Sequence, residues 1–164
     1  MIKPWLASSL VALAFVAFAV ALPVEFGGSL VPSAAAMPTM TPSKASDDYV
    51  NGEKAVKEGR YQDAVDLLTK VVQREPDNAD AHNYLGFSLR KLGQLDKAQA
   101  HYRVALQLQP DFKAALEYYG ELYLQIKDLP RAEEQLAHLA RVCPSGCAER
   151  SALEQAVKSY KAGS

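Results

Sequence analysis

Three residue types recur along residues 45–146 of this chain with one common period. Glycine, alanine and proline each return after 34 residues, at Gly52, Gly86 and Gly120, at Ala64, Ala98 and Ala132, and at Pro76, Pro110 and Pro144. Three different residue types that share one spacing indicate a repeated structural unit. One such unit is too small to cover its own apolar face, so neighbouring units must stack on one another.

Each unit has the pattern of two amphipathic helices. Leu85, Leu89 and Leu92 follow the helical spacing in the middle unit. The small residues Gly86 and Ala98 predict that the two helices of this unit approach closely. His82 occupies a packing position, and we expect it to be a hydrogen-bonded histidine at the core or its rim.

Short connections separate these helices. Gly59 and Gly93 are placed at the turns inside the first two units, where a positive backbone angle suits glycine. Lys127 takes that position in the third unit, so we expect the third turn to depart from the pattern. Each repeated proline should end a second helix, because the residue before a proline avoids the helical region. Asp or Asn in the following "PDN" and "PDF" should then cap the next helix.

The period and the motifs resemble those of the tetratricopeptide repeat (TPR) family, whose unit is a helix-turn-helix of 34 residues. The middle unit carries the family's pattern at His82, Leu85, Gly86, Leu89, Ala98, Tyr102 and Pro110. The resemblance covers about residues 45–146 and implies an all-α fold. It predicts three tandem repeats, 45–78, 79–112 and 113–146, in a right-handed solenoid. Residues 147–162 carry an apolar stripe at Leu153, Val157 and Tyr160, and we expect them to form a capping helix.

The amino-terminal segment has the features of an export signal. An almost wholly apolar run lies between Lys3 and Glu25. We expect residues 1–21 to be a signal peptide, with cleavage after Ala21 or as late as Ala36, or an uncleaved anchor that tethers the chain to the inner membrane through residues 5–24. Residues 22–44 are rich in Pro, Ser, Gly and Ala and are expected to be a disordered linker. Both alternatives predict a periplasmic or exported protein.

Several function classes are disfavoured by composition and motifs. The 18 Lys and Arg residues are nearly balanced by 19 Asp and Glu residues, which argues against a nucleic-acid partner. The sequence contains no phosphate-binding glycine loop and no His-Glu-x-x-His motif. We therefore expect a non-enzymatic protein without a cofactor or a metal ion.

Both cysteines lie in the stretch "RVCPSGCAER". Pro144 is a repeat-ending proline, so Cys143 should end the last repeat helix and Cys147 should begin the capping helix. In an exported chain this pair favours a disulfide, with a stabilisation of about 2 kcal/mol for so short a loop. A metal site with His138, a redox centre and unpaired thiols remain alternatives.

The resemblance also implies a binding surface. In TPR proteins, positions 5, 9, 12 and 13 of each first helix line a concave groove for partner peptides. These positions span an arc of roughly 100° at 3.6 residues per turn. With the flanking position 6, the predicted groove residues are Tyr49, Glu53, Asn83, Tyr84, Phe87, Arg90, Lys91, Glu117, Tyr118 and Glu121. The pattern predicts a groove that is basic in the middle repeat and acidic in the third.

Some TPR domains grip a terminal carboxylate with basic and Asn residues. The corresponding positions here hold Tyr49, Glu53, Tyr84, Ala114 and Tyr118, so that clamp is missing. The chain looks like a small exported bacterial TPR protein, and we expect an adaptor or assembly factor of the cell envelope that binds a protein or peptide. The alternatives are a thiol- or metal-handling protein that uses Cys143 and Cys147, and weak self-association through the first-repeat end.

Overall fold

The computed structural model describes the backbone of residues 44–163 and the side chains of residues 47–163. This part of the chain contains no strand and seven helices: α1 (Lys44–Lys57), α2 (Tyr61–Arg74), α3 (Ala79–Lys91), α4 (Leu95–Leu108), α5 (Lys113–Gln125), α6 (Leu129–Val142) and α7 (Ala148–Ala162). The predicted all-α fold is confirmed. The signal or anchor predicted at 1–21, the tether at 5–24, the cleavage site near 36 and all but the last residue of the linker at 22–44 lie outside the described residues.

The helices pack as three pairs, α1 with α2, α3 with α4 and α5 with α6, which fits the three predicted repeats. The middle first helix, α3, also contacts both α1 and α5, so the first helices are neighbours along one face. The last helix, α7, packs against α5 and α6 through the buried side chains of Leu153 and Val157. Among the described helices, none has the length and apolar character needed to cross a membrane.

Glycines mark the closest contacts between helices. A Cβ atom added at Gly86 would lie 2.9 Å from the ring of Tyr102, and one added at Gly120 would lie 2.5 Å from Leu153 Cδ2. The close approach predicted at Gly86 is therefore confirmed. At Gly120 the close neighbour belongs to α7, so the capping helix approaches α5 at least as closely as the two helices of the middle repeat approach each other.

The third turn keeps the backbone of the other two. Gly59 and Gly93 have φ angles of 73° and 76°, and Lys127 has a φ angle of 62°. The expectation that Lys127 makes this turn depart from the pattern is wrong, because the geometry of the helix pair fixes the backbone whatever the side chain. A non-glycine residue in this left-handed region costs about 1 kcal/mol.

Only part of the predicted capping is present. Asn78 caps α3, since its Oδ1 accepts a hydrogen bond from the Ala81 N–H at 2.9 Å. At α5 the capping position is taken by Phe112, which makes no capping hydrogen bond through its side chain. The predicted cap from "PDF" is therefore wrong, because Asp111 instead contacts His138 Nε2 across to α6 at 2.9 Å.

Candidate partner-binding groove

The first helices carry a row of aromatic rings on the face that the sequence predicted as a groove. The ring centroids of Tyr49 and Tyr84 lie 6.3 Å apart, and those of Phe87 and Tyr118 lie 4.8 Å apart. All four side chains are partly exposed. The row joins α1, α3 and α5 and offers apolar surface that is still accessible to solvent.

Phe87 is the best-supported ring of this row. Its centroid lies 6.0 Å from that of Tyr61 at the start of α2, and Lys91 Nζ lies 5.2 Å from the same Phe87 centroid. Its neighbours thus come from three helices, yet it remains half-buried. One turn before it on α3, the side chain of Asn83 is only 2% exposed. The Oδ1 atom of Asn83 has no hydrogen-bond partner among the described residues.

Arg90 differs from the open groove contact that the sequence suggested. The residue is 4% exposed, and its Nη2 lies 2.6 Å from Glu121 Oε2. Its guanidinium carbon also lies 5.5 Å from the Phe87 ring centroid and 6.0 Å from that of Tyr118. Arg90 is therefore a buried support for the aromatic row, and its charge is already paired. The middle repeat is less basic than predicted, since the exposed cation among its predicted groove residues is Lys91.

Three carboxyl groups interact electrostatically on the α5–α7 side of this face. Glu117 and Glu121 lie one turn apart on α5, and Glu149 comes from the first turn of α7; we call these three residues the acidic end of the groove. Burial, and then the charges of Glu121 and Glu149, raise the pKa of Glu117 to about 7, although Arg90 opposes this shift. Among the described side chains, Glu117 and Glu149 have no ion-pair partner. Within the acidic end, Glu121 is therefore paired with Arg90, whereas Glu117 and Glu149 have no cation of the described residues beside them.

The charge of Glu53 at the first-repeat end of the row is paired. Glu53 Oε1 accepts a hydrogen bond from the Tyr84 hydroxyl at 3.1 Å and lies 2.9 Å from Lys57 Nζ. The hydrogen bond from Lys57 and that from Tyr84 lower the pKa of Glu53. Burial, assisted by Asp80 and Glu53, raises the pKa of Tyr49 to about 12, so this hydroxyl stays neutral. At this end of the face the charge of Glu53 is therefore paired, whereas Asp80 has no ion-pair partner among the described side chains.

Sequence reasoning missed two residues of this face. Tyr61 contacts Phe87 from a second helix, and the charge of Glu149 on the capping helix raises the pKa of Glu117. Neither residue lies in the first-helix arc from which the groove was predicted. Their places depend on how α2 and α7 pack beside α3 and α5, and no short-range sequence signal carries that information.

The cysteine pair lies at the junction of α6 and α7. Cys143 follows the last residue of α6, and Cys147 precedes the first residue of α7. Their sulfur atoms are 2.10 Å apart and their Cα atoms 6.0 Å apart. His138, the third ligand of the metal alternative, contacts Asp111. The described residues contain no group of three His, Cys, Asp or Glu side chains that could hold a metal ion.

A histidine pair links α3 to α4 in the middle repeat. His82 Nε2 lies 3.2 Å from the Pro76 carbonyl oxygen, and His82 Nδ1 lies 3.0 Å from His101 Nδ1. Because a carbonyl only accepts, His82 Nε2 carries the proton, and the His101 Nδ1–H donates to His82 Nδ1 when both rings are neutral. Burial lowers the pKa of both rings, that of His101 to about 4. The prediction of a hydrogen-bonded core histidine at His82 is confirmed, and its partner His101 was not foreseen.

Antiparallel helix pairs that stack with their first helices on one face define a helical-repeat protein. A family model described as tetratricopeptide repeat matches residues 55–102 and 89–156, which together make up more than half of the chain. The chain therefore belongs to the tetratricopeptide repeat family.

Relatives and solved structures agree with this assignment. "Tetratricopeptide repeat protein 37" from Xenopus laevis is 29% identical over 121 residues, which cover 67% of this chain and 8% of that protein. The chain spans less than half the length of this and the next two curated relatives it matches. The TPR2B domain of yeast Sti1, in a complex with pHsp70, superposes with a TM-score of 0.66 at 20% identity and covers 73% of this chain and 98% of the domain. The first TPR of Spaghetti (RPAP3), bound to the HSP90 peptide SRMEEVD, superposes with a TM-score of 0.63 at 20% identity and covers 71% and 92%. At this identity the likeness to these domains establishes the fold.

Proposed function

We propose that this chain is a non-enzymatic binding module that holds a segment of a partner protein along the predicted groove. The observation that carries this proposal is the row of partly exposed rings on α1, α3 and α5, which ends beside carboxylates without an ion-pair partner. Aromatic side chains that are held rigidly and remain accessible are typical anchors of protein interfaces. A bound segment would cover this apolar surface and would meet carboxylates without an ion-pair partner at one end.

Known TPR domains support a protein or peptide ligand. The solved neighbours include domains described as complexes with pHsp70 and with an HSP90 peptide. The positions of the carboxylate clamp carry no basic residue in this chain, so we propose that the ligand is an internal segment of the partner rather than its terminal carboxylate.

The test of the groove compares partner capture by matched variants of the full chain. Phe87→Ala removes the best-supported ring, and we expect at least about tenfold weaker binding of the co-purified partner, because truncation of a buried anchor costs more than about 1 kcal/mol. The control is Gln107→Ala with Lys113→Ala, two exposed residues outside the groove arc. Circular dichroism must show the same helix content for all variants. Equal loss in both variants, or loss of helix in Phe87→Ala alone, would remove Phe87 from the binding surface.

We further propose that the module works outside the cytoplasm of a bacterial cell, as an adaptor or assembly factor of the envelope. The apolar run that follows Lys3 supports this location. A reporter enzyme that is active only after export, fused after residue 164, should be active in cells that make the full chain. Deletion of residues 1–24 should abolish that activity, and an active deletion variant would contradict the proposed location.

The cysteine pair offers a second candidate function, because the structure puts the two sulfur atoms side by side at the α6–α7 junction. We propose a structural disulfide that ties the capping helix to the last repeat. Protein extracted under alkylating conditions should then show no labelled thiol in mass spectrometry. Replacement of both cysteines by serine should cost about 2 kcal/mol at most and leave partner binding intact. Complete loss of function in that variant would favour a thiol- or metal-handling protein instead.

A further inference from the structure

We propose that the acidic end of the groove receives an arginine side chain of the partner segment. This inference rests on the proposed function, because it specifies which chemistry the same groove selects. The acidic end offers the carboxylates of Glu117 and Glu149, for which the described residues supply no ion-pair partner. A carboxylate that is half-buried without a cation is costly, and an incoming positive charge would relieve that cost.

A second, independent observation is the side chain of Asn83. It is 98% buried, since only 2% is exposed, and its Oδ1 lacks a hydrogen-bond donor among the described residues. Asn83 takes the same position in the middle repeat that Glu117 takes in the third, and α3 contacts α5 directly. The first helices therefore hold a buried amide oxygen without a donor at position 83 and a carboxylate without a cation at the equivalent position 117 of the next repeat. A ligand that donates several hydrogen bonds and carries positive charge fits this combination.

The hydrogen-bonding groups, and not the rings, favour arginine over lysine. The Phe87 ring lies beside both the Arg90 guanidinium and the Lys91 ammonium, so it does not distinguish between the two kinds of cation. Arginine has five N–H donors in a flat fork, whereas lysine has a single ammonium group that cannot reach separated acceptors at once. Glu121 is already engaged with Arg90, so the incoming side chain would use Glu117 and Asn83.

The protonation state of Glu117 makes the inference pH-dependent. The groups that face Glu117 are Glu121 on its own helix, Arg90 on α3 and Glu149 on α7, and burial keeps the pKa near 7. A guanidinium binds the ionised carboxyl and not the neutral acid, so binding releases a proton below that pKa. Arginine affinity should therefore rise with pH and level off above about pH 8.

The experiment is selection from a displayed library of random peptides, about twelve residues long, on the full chain in detergent micelles at pH 8. We expect the enriched peptides to share an arginine whose change to alanine weakens binding about tenfold, and to bind Glu117→Gln about tenfold more weakly than the unchanged chain. From pH 8 to pH 6 the affinity of the unchanged chain should fall about tenfold, and that of Glu117→Gln should stay constant. The control is Glu134→Gln, which removes the same charge from an exposed site on α6.

The outcomes separate this inference from the proposed function. If the enriched peptides lose binding with Phe87→Ala but carry no shared arginine, or bind Glu117→Gln and Glu134→Gln equally, the groove stands and the arginine site is refuted. A lysine in place of the shared arginine, with equal affinity for both, refutes the preference for the guanidinium group. If no peptide is enriched, or if Phe87→Ala binds all peptides unchanged, the proposed groove itself is refuted.

Discussion

Replacement of Arg90 by methionine should destabilise the fold much more than an ordinary change in a binding groove. The change leaves the Glu121 carboxylate without the cation it pairs with, which costs about 3–5 kcal/mol in a fully buried pair, and removes two contacts with the rings of Phe87 and Tyr118, worth about 0.5–1 kcal/mol each. Glu121 is 30% exposed, so water recovers part of the loss, and methionine keeps the apolar stem. We expect a net loss of about 2–3 kcal/mol in the free energy of unfolding.

Urea unfolding of the full chain, followed by circular dichroism, measures this loss. The double variant Arg90→Met with Glu121→Gln closes a double-mutant cycle, and we expect a coupling of at least about 1 kcal/mol between the two sites. Lys91→Met is the matched control, because Lys91 is exposed next to Arg90 and should change the stability by less than about 0.5 kcal/mol. If Arg90→Met costs no more than this control, or if the two changes are additive, the assignment of Arg90 to the support of the groove is wrong.

Further predictions concern the third turn and the titrating groups. Lys127→Gly should raise the free energy of unfolding by about 1 kcal/mol in the same urea assay, because glycine tolerates the φ angle of 62°. A lower stability would show that the lysine side chain makes a stabilising contact. At pH 8, Glu117→Gln should be more stable than the unchanged chain by about 1 kcal/mol after solvent screening. The reason is that the pKa of Glu117 is raised in the folded state, so the unchanged chain loses folding stability as the pH rises from 4.5 through about 7. A stability difference that does not shrink towards pH 5 would contradict this. In the Glu117→Gln variant, the folding stability should fall as the pH drops from 6.5 towards 4. The pKa of His101 is lowered to about 4 in the folded state, so the unfolded chain binds more protons between these pH values. A stability that does not change over this range would refute the buried histidine pair.

Local regularities of the sequence were enough to predict the helix pairs. The glycine, alanine and proline spacings repeat within each unit, so they report on contacts between helices that are close in the chain, such as Gly86 with Tyr102. The sequence likewise predicted Tyr49 and Phe87 in the arc of first-helix positions and Tyr84 and Tyr118 beside it, and the structure pairs the ring of Tyr49 with that of Tyr84 and the ring of Phe87 with that of Tyr118.

Properties of the site that depend on neighbouring repeats were out of reach of the sequence. The ion pair of Arg90 needs Glu121, which lies on the next first helix, and the raised pKa of Glu117 comes first from burial and then from Glu121 and from Glu149 of α7. The position of Lys127 is a similar case, since the geometry of the whole helix pair decides its backbone angle. Spacing along one helix cannot reveal which charge on another helix will meet it.

The most direct test of the central claim is site-specific photocrosslinking in cells that make the full chain. A photoreactive phenylalanine derivative replaces either Lys91, which is exposed beside the Phe87 ring, or Gln107, which is exposed on α4 outside the groove. We expect one prominent adduct from position 91 that disappears when Phe87 is also changed to alanine, and no such adduct from position 107. Equal adducts from both positions, or an adduct at position 91 that does not depend on Phe87, would contradict a binding groove on α1, α3 and α5.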